Sequence, residues 1–257
     1  MSLSLLSFVI MLSLVLLSLG IFSLFNRGRD KDADVKSAQF MGRFGNAILQ
    51  WWFFFVVSPL TRFSLALGLT PNALSYIALA FGALAGVFFW LGWLEVGAWT
   101  IMLSGVWDML DGRVARATGR TTRYGGFIDA VLDRYVEFFM FVGFAFFLRT
   151  TALGAFATAA ALGGSLLVSY ARAAGEAMGV DCTGGFMQRG ERLALICVTC
   201  LTDRSTTAWL GLPFGTTVVW ALLVVGLAGL GTSVYRTAWI AKRLATPTPP
   251  ESGGKHA

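Results

Sequence analysis

Seven mostly apolar stretches, each about as long as a membrane-spanning helix, constrain the fold of this chain most strongly. A helix needs about 20 apolar residues to cross a bilayer, and the first stretch, residues 3–26, contains no charged side chain. Hydrophobic residues make up 56% of the chain and charged residues only 13%, whereas soluble domains carry about 25% charged residues. The sequence therefore predicts an all-α, polytopic membrane protein and argues against a soluble helical domain.

Breaks in the apolar pattern divide the chain into four regions. Residues 1–37 are predicted to form an uncleaved N-terminal transmembrane helix and a cytoplasmic linker, residues 69–243 a six-helix membrane domain, and residues 244–257 a disordered tail. Residues 38–68 contain a cluster of aromatic side chains that suits the headgroup level. We expect an amphipathic helix at the membrane interface there, because Pro59 and Arg62 shorten the apolar segment; a further span is the alternative.

Helix boundaries within the six-helix domain can be placed from its polar residues. Thr70 and Pro71 form a helix start, with a threonine N-cap followed by a proline in the first turn. The predicted spans are residues 71–94, a second from residue 97 into the acidic segment, 125–148, 153–172, 192–201 with extensions at both ends, and 216–239. A polar loop is expected between the spans that end near residue 172 and begin near residue 192.

The balance of charges predicts how the chain sits in the membrane. There are 20 lysines and arginines against 14 acidic residues, and in a membrane protein this excess follows the positive-inside rule. The basic residues gather in alternate loops, so those loops are predicted to be cytoplasmic. We therefore expect an inner-membrane protein with its N-terminus outside and its acidic segment at the cytoplasmic face. The basic residues are expected to lie on the cytoplasmic side of the lipid bilayer and not to bind a nucleic acid.

Sulfur and imidazole ligands are scarce. The only histidine, His256, lies in the tail, and Cys197 and Cys200 form a pair in an apolar run with no second cysteine pair nearby. We interpret these cysteines as packing residues and not as a zinc or redox site. Any metal site in this chain is therefore expected to use oxygen ligands.

Four aspartates stand out in the stretch from Trp107 to Glu137. They form two pairs, Asp108 with Asp111 and Asp129 with Asp133, spaced so that each pair shares one face of a helix. Two helices joined by a short basic turn would aim all four carboxylates at one point. Carboxylate-only sites select hard cations such as Mg²⁺ or Mn²⁺, and four carboxylates suffice for two ions that support phosphoryl transfer.

The four aspartates could also serve either of two different roles. The carboxylates could pair with Arg113, Arg116 and Arg134, although this leaves the spacing of the two pairs unexplained. An acidic cluster in a membrane domain could also belong to a cation transporter or channel. Transporters often carry inverted repeats, and the sequence shows none, so an enzyme is favoured.

The acidic segment resembles the signature of the CDP-alcohol phosphotransferase (CDP-alcohol phosphatidyltransferase) family. The matching residues are Asp108, Asp111, Gly112, Ala115, Arg116, Gly125, Asp129 and Asp133. The resemblance covers about residues 70–239 and implies the six-transmembrane-helix core of that family, with the N-terminal helix as an addition. It implies transfer of a phosphatidyl group from CDP-diacylglycerol to a polar alcohol with release of CMP, and a homodimer.

The resemblance also implies roles for individual residues. The four aspartates would hold two Mg²⁺ or Mn²⁺ ions, and Asp133 would also take the proton of the acceptor hydroxyl. The residues implied to contact the CDP-linked donor are Pro71, Asn72, Ala73, Leu74, Gly112, Arg116 and Thr122. The chain itself supports the first part of that set, because the start of a helix favours phosphate.

A second basic stretch bears on the acceptor. Residues 169–193 resemble the corresponding region of bacterial phosphatidylinositol phosphate synthases, which implies an anion pocket, outside the aspartate motif, formed by Arg172, Arg189 and Arg192. Topology, together with pairing to Glu176 and Glu191, is the alternative interpretation of these arginines. The synthases carry a further arginine at the position of Ala174, and this difference leaves other acceptors open. The predicted order of acceptors is inositol phosphate first, then glycerol 3-phosphate, then other polar alcohols.

Overall fold

Helices account for almost all of the chain that the structure describes. The structure, a computed structural model, describes residues 3–25, 47–182 and 184–245. The helices of this part are α1 (Leu3–Phe25), α2 (Ala47–Ala66), α3 (Pro71–Trp90), α4 (Leu94–Ala117), α5 (Arg123–Phe147), α6 (Ala152–Ala177), α7 (Arg189–Leu210) and α8 (Thr216–Ala245). The predicted all-α class is confirmed, and α3 to α8 are the six expected helices of the membrane domain.

Three of these helices are apolar enough along their length to cross a membrane. They are α3, α6 and α8, with 20, 26 and 30 residues. Helices α4, α5 and α7 are comparable in length, at 24, 25 and 22 residues, which corresponds to about 30 Å or more at 1.5 Å per residue. Their lower hydropathy has a local cause, because these three helices carry most of the buried charges of the protein.

Short polar caps start several of the helices. Thr70 accepts a hydrogen bond from the Ala73 N–H at 3.3 Å, and Pro71 is the first residue of α3, as predicted. Thr122 does the same for α5, since its hydroxyl oxygen accepts from the Gly125 N–H at 2.9 Å. Such caps satisfy backbone donors that have no partner inside the helix. The starts of α3 and α5 are therefore well defined, and both carry residues of the predicted site.

Glycines allow the helices to approach one another closely. On α3, Gly82 and Gly86 face α5, where Gly143 lies directly against the Gly86 carbonyl group. Between α6 and α8, Gly164 packs against Gly226 and its neighbours in the same way. Small residues at helix contacts are typical of membrane bundles. They bring α3, α4 and α5 into one group, which α7 joins to the α6–α8 pair.

The main hydrophobic core lies where these helices meet. Phe89 of α3 stacks on Phe144 of α5 with ring centroids 4.3 Å apart, and both side chains are fully buried. Cys197 and Cys200 are free, buried thiols in the same core, which confirms that they pack. A smaller cluster that includes Leu74 joins α2 and α3 to α4.

Helix α2 lies within residues 38–68, the segment predicted to form an interfacial helix. It runs from Ala47 through Pro59 to Ala66. A proline inside a helix removes one hydrogen bond, and α2 packs on α4. Its interfacial position stays a prediction; the linker and the start of this segment, residues 26–46, and the tail after residue 245 lie outside the described residues.

Candidate metal and phosphate site

The acidic segment folds into the ends of two neighbouring helices. Asp108 and Asp111 lie in the last turns of α4, and Asp129 and Asp133 in the first turns of α5. Carboxylate oxygens of Asp108, Asp111 and Asp129 lie within 4.8 Å of one another. The spacing of the two pairs thus brings at least three carboxylates to one point, as predicted, with Asp133 one turn further along α5.

Asp111 is held in place by a residue that the sequence pattern did not single out. The Ser75 hydroxyl donates to the Asp111 carboxylate at 2.5 Å, and both residues are buried. Ser75 lies in the second turn of α3, so this bond ties the start of α3 to the carboxylate cluster. Ser75 lies in the segment that begins with the predicted cap at Thr70, and this position was a signal from which Ser75 could have been identified.

Arg189 lies inside the acidic cluster. Its Nη1 is 3.0 Å from an Asp108 carboxylate oxygen and 2.5 Å from one of Asp133. The expectation that Arg189 lies outside the aspartate motif is therefore wrong. The first residue of α7 meets α4 and α5 here, and the guanidinium group balances carboxylates that would repel one another.

The other two arginines of the predicted acceptor pocket have different partners. Arg172 forms a surface pair with Glu176 at 2.6 Å, as in the topological alternative. Arg192 is buried and donates to Glu137 at 3.0 Å, while Glu191 accepts from the Gln188 N–H at the start of α7. Arg189 and Arg192 thus both approach Glu137, whereas Arg172 contacts Glu176; that the three arginines form one acceptor pocket stays a prediction.

Glu137 and Arg134 complete the polar site and were missed from the sequence. Glu137 accepts from Arg134 at 2.9 Å as well as from Arg192, and Arg134 also donates to Ser169 of α6 at 2.5 Å. Arg134 lies 3.6 Å from Asp133, so one of the three arginine pairings left open from the sequence does occur. Glu137 could have been found, because it continues the i, i+4 series of Asp129 and Asp133.

Several predicted donor residues lie close to one another at the helix ends that carry the acidic cluster. A Cβ atom added at Gly125 would lie 3.2 Å from the Thr122 hydroxyl oxygen and 3.7 Å from Asn72 Oδ1, so the starts of α5 and α3 adjoin. The Arg116 guanidinium lies over Gly112, within 3.3 Å of a Cβ placed there. Two helix N-termini and one arginine favour a phosphate group at this place.

Leu74 and its neighbours contribute to this region in different ways. Pro71, Asn72 and Ala73 are half-buried at the start of α3, where a ligand can reach them. Leu74 is fully buried and packs in the smaller core cluster. The Leu74 side chain anchors the helix start, so a contact of this residue with the donor, which stays a prediction, would use its backbone.

The oxygen ligands of the acidic cluster suit a hard divalent cation. The atoms that converge from Asp108, Asp111 and Asp129 are all carboxylate oxygens, which Mg²⁺ and Mn²⁺ prefer. Ser75 orients one of them by a hydrogen bond, as is usual for metal-binding carboxylates. A cluster of this kind beside two helix N-termini is suited to binding and activating a phosphoanhydride.

Comparison with known proteins agrees with this geometry. The profile of the CDP-alcohol phosphatidyltransferase family matches residues 68–241. A phosphatidylinositol phosphate synthase of Mycobacterium marinum is 36% identical over 192 residues, which are 72% of this chain and 80% of the relative. An archaetidylinositol phosphate synthase of Methanothermobacter thermautotrophicus is 32% identical over 153 residues, 60% of this chain and 73% of the relative.

Solved structures lead to the same family. The crystal structure of Mycobacterium tuberculosis phosphatidylinositol phosphate synthase with CDP-DAG bound superposes with a TM-score of 0.64 at 28% identity, covering 76% of this chain and 99% of that one. The same enzyme in complex with manganese and citrate gives a TM-score of 0.64 at 27% identity, covering 77% and 96%. The alternative of a cation transporter or channel finds no support. The chain therefore belongs to the CDP-alcohol phosphatidyltransferase family of membrane enzymes, which transfer phosphatidyl groups.

Proposed function

We propose that this enzyme transfers the phosphatidyl group of CDP-diacylglycerol to inositol phosphate and releases CMP. The observation that carries the proposal is the contact of Arg189 with Asp108 and Asp133. It places a group that binds phosphate beside the carboxylates implied in the transfer. The relatives named as phosphatidylinositol phosphate and archaetidylinositol phosphate synthases support the same acceptor.

We assign the residues three tasks: some bind the donor, some bind the acceptor, and one accepts the proton of the acceptor hydroxyl. Donor binding is assigned to the starts of α3 and α5 and to the Gly112–Arg116 turn, with Pro71, Asn72, Ala73 and Thr122 as the remaining contacts. Arg189 and Arg192 are assigned to the acceptor phosphate. Arg172 is exposed and paired with Glu176, so we assign it a weaker, peripheral part in attracting the acceptor.

The transfer balances with Asp133 as the base. The acceptor hydroxyl attacks the phosphorus that carries the diacylglycerol, and its proton passes to an oxygen of Asp133. A new phosphorus–oxygen bond forms to the acceptor while the bond to CMP breaks, and CMP leaves with its phosphate charge. Arg189 lies 2.5 Å from Asp133, where it orients this carboxylate and opposes its protonation before the acceptor arrives.

Two divalent ions, Mg²⁺ or Mn²⁺, are proposed as cofactors. Asp108, Asp111, Asp129 and Asp133 would hold them, and the manganese complex of the M. tuberculosis enzyme supports this class of metal. When bound, such ions stabilise the negative charge of the pyrophosphate group and of the leaving CMP. Ser75 then serves to hold Asp111 in a fixed orientation.

The acceptor is tested by CMP release from CDP-diacylglycerol with purified enzyme, with and without Mg²⁺. Inositol phosphate, glycerol 3-phosphate, inositol and serine are compared as acceptors at equal concentrations. Inositol phosphate is expected to give the highest kcat/KM. A higher value for glycerol 3-phosphate would keep the phosphate pocket but change the acceptor, and a higher value for an uncharged alcohol would contradict the proposal.

The location and assembly of the enzyme are also proposed. The basic loops support an inner-membrane protein whose site faces the cytoplasm, and the family supports a homodimer. Thr121 is exposed beside the site, so a cysteine at this position, in a chain without its native cysteines, should react only with reagents that cross the membrane. Reaction with an impermeant reagent in intact cells would reverse the assigned orientation.

A further inference from the structure

We propose that Glu137 is a positioning residue that orients the arginines of the acceptor site; this inference rests on the proposed function. The Glu137 side chain is 2% exposed, and each of its oxygens has an arginine partner. One oxygen accepts from Arg134 at 2.9 Å and the other from Arg192 at 3.0 Å. Arg189 Nε lies 3.9 Å from this second oxygen. Three guanidinium groups from two helices thus meet at one carboxylate.

The place of Glu137 on α5 explains why it acts on the arginines. It lies one turn beyond Asp133 and on the same face of the helix. Asp133 and Asp108 attract Arg189 from one side, while Glu137 attracts it from the other. The Arg189 guanidinium group is held between these carboxylates, and Glu137 also fixes Arg192 beside it.

Buried donors left over in this network indicate what the arginines are oriented toward. Arg192 is 4% exposed, and within the described part of the chain its buried Nη1 has no hydrogen-bond partner. Arg189 Nε is likewise buried without a hydrogen bond there. A buried donor without a partner is costly, and an anion with several oxygens relieves this cost. The chemical class that fits is a phosphomonoester, as an acidic acceptor carries.

Arg134 fixes the network to a third helix. It donates to Glu137 of its own helix and to Ser169 of α6, so the guanidinium group that holds one Glu137 oxygen is itself fixed by a contact between α5 and α6. Arg192 belongs to α7. Glu137 therefore couples the positions of α5, α6 and α7 at the end of the bundle where the acceptor would bind.

The test is steady-state kinetics in which each substrate is varied separately, on Glu137→Gln. Loss of the charge should release Arg192 and leave Arg189 held only by Asp133 and Asp108, so the KM for inositol phosphate should rise about tenfold, which corresponds to about 1.4 kcal/mol. The KM for CDP-diacylglycerol should change less than about twofold. Glu137→Asp keeps the charge with a shorter side chain, and it should restore at least half of the lost acceptor affinity.

Glu95→Gln is the matched control. Glu95 is also a buried carboxylate paired with an arginine, Arg204, but at the opposite end of α4. It should lower the melting temperature without changing either KM. If Glu95→Gln and Glu137→Gln raise the acceptor KM alike, or if Glu137→Gln raises both KM values together, Glu137 is a structural residue and the inference is wrong.

Two further outcomes separate this inference from the proposed function. If the wild type uses inositol phosphate and Glu137→Gln leaves its KM within twofold, only the positioning role fails. If the wild type prefers an uncharged alcohol, the proposed function fails first, and the role of Glu137 fails with it. Should Glu137→Gln not fold, Glu137→Asp decides alone: an acceptor KM raised by no more than about threefold with an unchanged donor KM supports the role, and a rise in both KM values together contradicts it.

Discussion

The two ends of α4 and α7 both carry buried charges, but the two clusters use them differently. The site cluster is defined by its carboxylates and arginines: Asp108, Asp111, Asp129, Asp133, Glu137, Arg134, Arg189 and Arg192. The far cluster comprises Glu95, Asp203, Arg204 and Thr217. Along α4, Glu95 lies about 20 Å from Asp108 at a rise of 1.5 Å per residue. Their difference separates a functional arrangement from a structural one.

The far cluster satisfies its charges within the chain. Asp203 is fully buried and accepts from the backbone N–H groups of Gly215 and Thr217 at 2.7 and 3.1 Å, and from the Thr217 hydroxyl. These donors lie at the start of α8, where a carboxylate is favoured by the helix dipole. Asp203 therefore acts as a cap that α7 supplies to α8, and it stabilises the loop between them.

The site cluster leaves binding capacity unused. In the part of the chain that the structure describes, buried nitrogens of Arg189 and Arg192 have no hydrogen-bond partner, and three carboxylates face one another. Such groups are costly unless they serve to bind something. The comparison teaches that unpaired buried donors, and not burial of charge as such, distinguish the end of the bundle that we propose to bind the substrates.

Asp111→Asn should give the largest effect and separates the two clusters most clearly. Loss of one carboxylate of the proposed metal site should reduce turnover well beyond the about 10- to 100-fold that follows loss of an outer-shell partner. CMP release is measured with and without excess chelator, and chelator should abolish the activity of the wild type. Full activity in chelator would refute the use of divalent metals. Unchanged melting of Asp111→Asn in detergent is the control for folding.

Asp203→Ala should affect stability in place of catalysis. Two backbone N–H groups would lose their acceptor, so we expect the free energy of unfolding to fall by about 2–4 kcal/mol. Thermal unfolding in detergent measures this, and CMP release is normalised to the folded fraction. Both KM values should stay within twofold of wild type. A selective rise in one KM would show that the far cluster also communicates with the site.

Arg189→Ala and Arg116→Ala test whether different arginines bind the acceptor and the donor. Removing a guanidinium contact to a charged group should cost about 1.5–3 kcal/mol, which is roughly tenfold or more in affinity. We expect Arg189→Ala to raise the KM for the acceptor and Arg116→Ala that for CDP-diacylglycerol. A kinetic matrix of both substrates decides. A rise in the donor KM alone for Arg189→Ala would assign this arginine to the donor.

Arg204→Ala should give the smallest effect. The Arg204–Glu95 contact of 3.3 Å involves an arginine whose side chain is 56% exposed, and Arg204 also lies over the Phe214 ring. Exposed pairs contribute about 0.2–1 kcal/mol, so the melting temperature should fall only slightly and activity should not change. A loss as large as that of Asp203→Ala would show that this surface pair is essential to the far cluster.

Much of the fold could be predicted because its signals are local. The cap at Thr70 and Pro71 placed the start of α3, and the i, i+3 and i, i+4 spacings brought the aspartates to one point. Apolar length located α3 to α8 to within a turn or two. Pro59 and Arg62 left the position of α2 open between the interface and a further span, because a proline and a charge shorten an apolar segment without ending the helix.

The sequence by itself therefore determined the membrane class, the helices and the acidic cluster, since each depends on residues within a few turns of one another. Only the tertiary structure decided that Arg189 enters that cluster and that Glu137 holds Arg192. These partners are 81 and 55 positions apart in the chain. Helical periodicity predicts which face of its own helix a side chain occupies, but not which distant helix that face contacts. That choice is made when close glycine contacts set the packing of the helices.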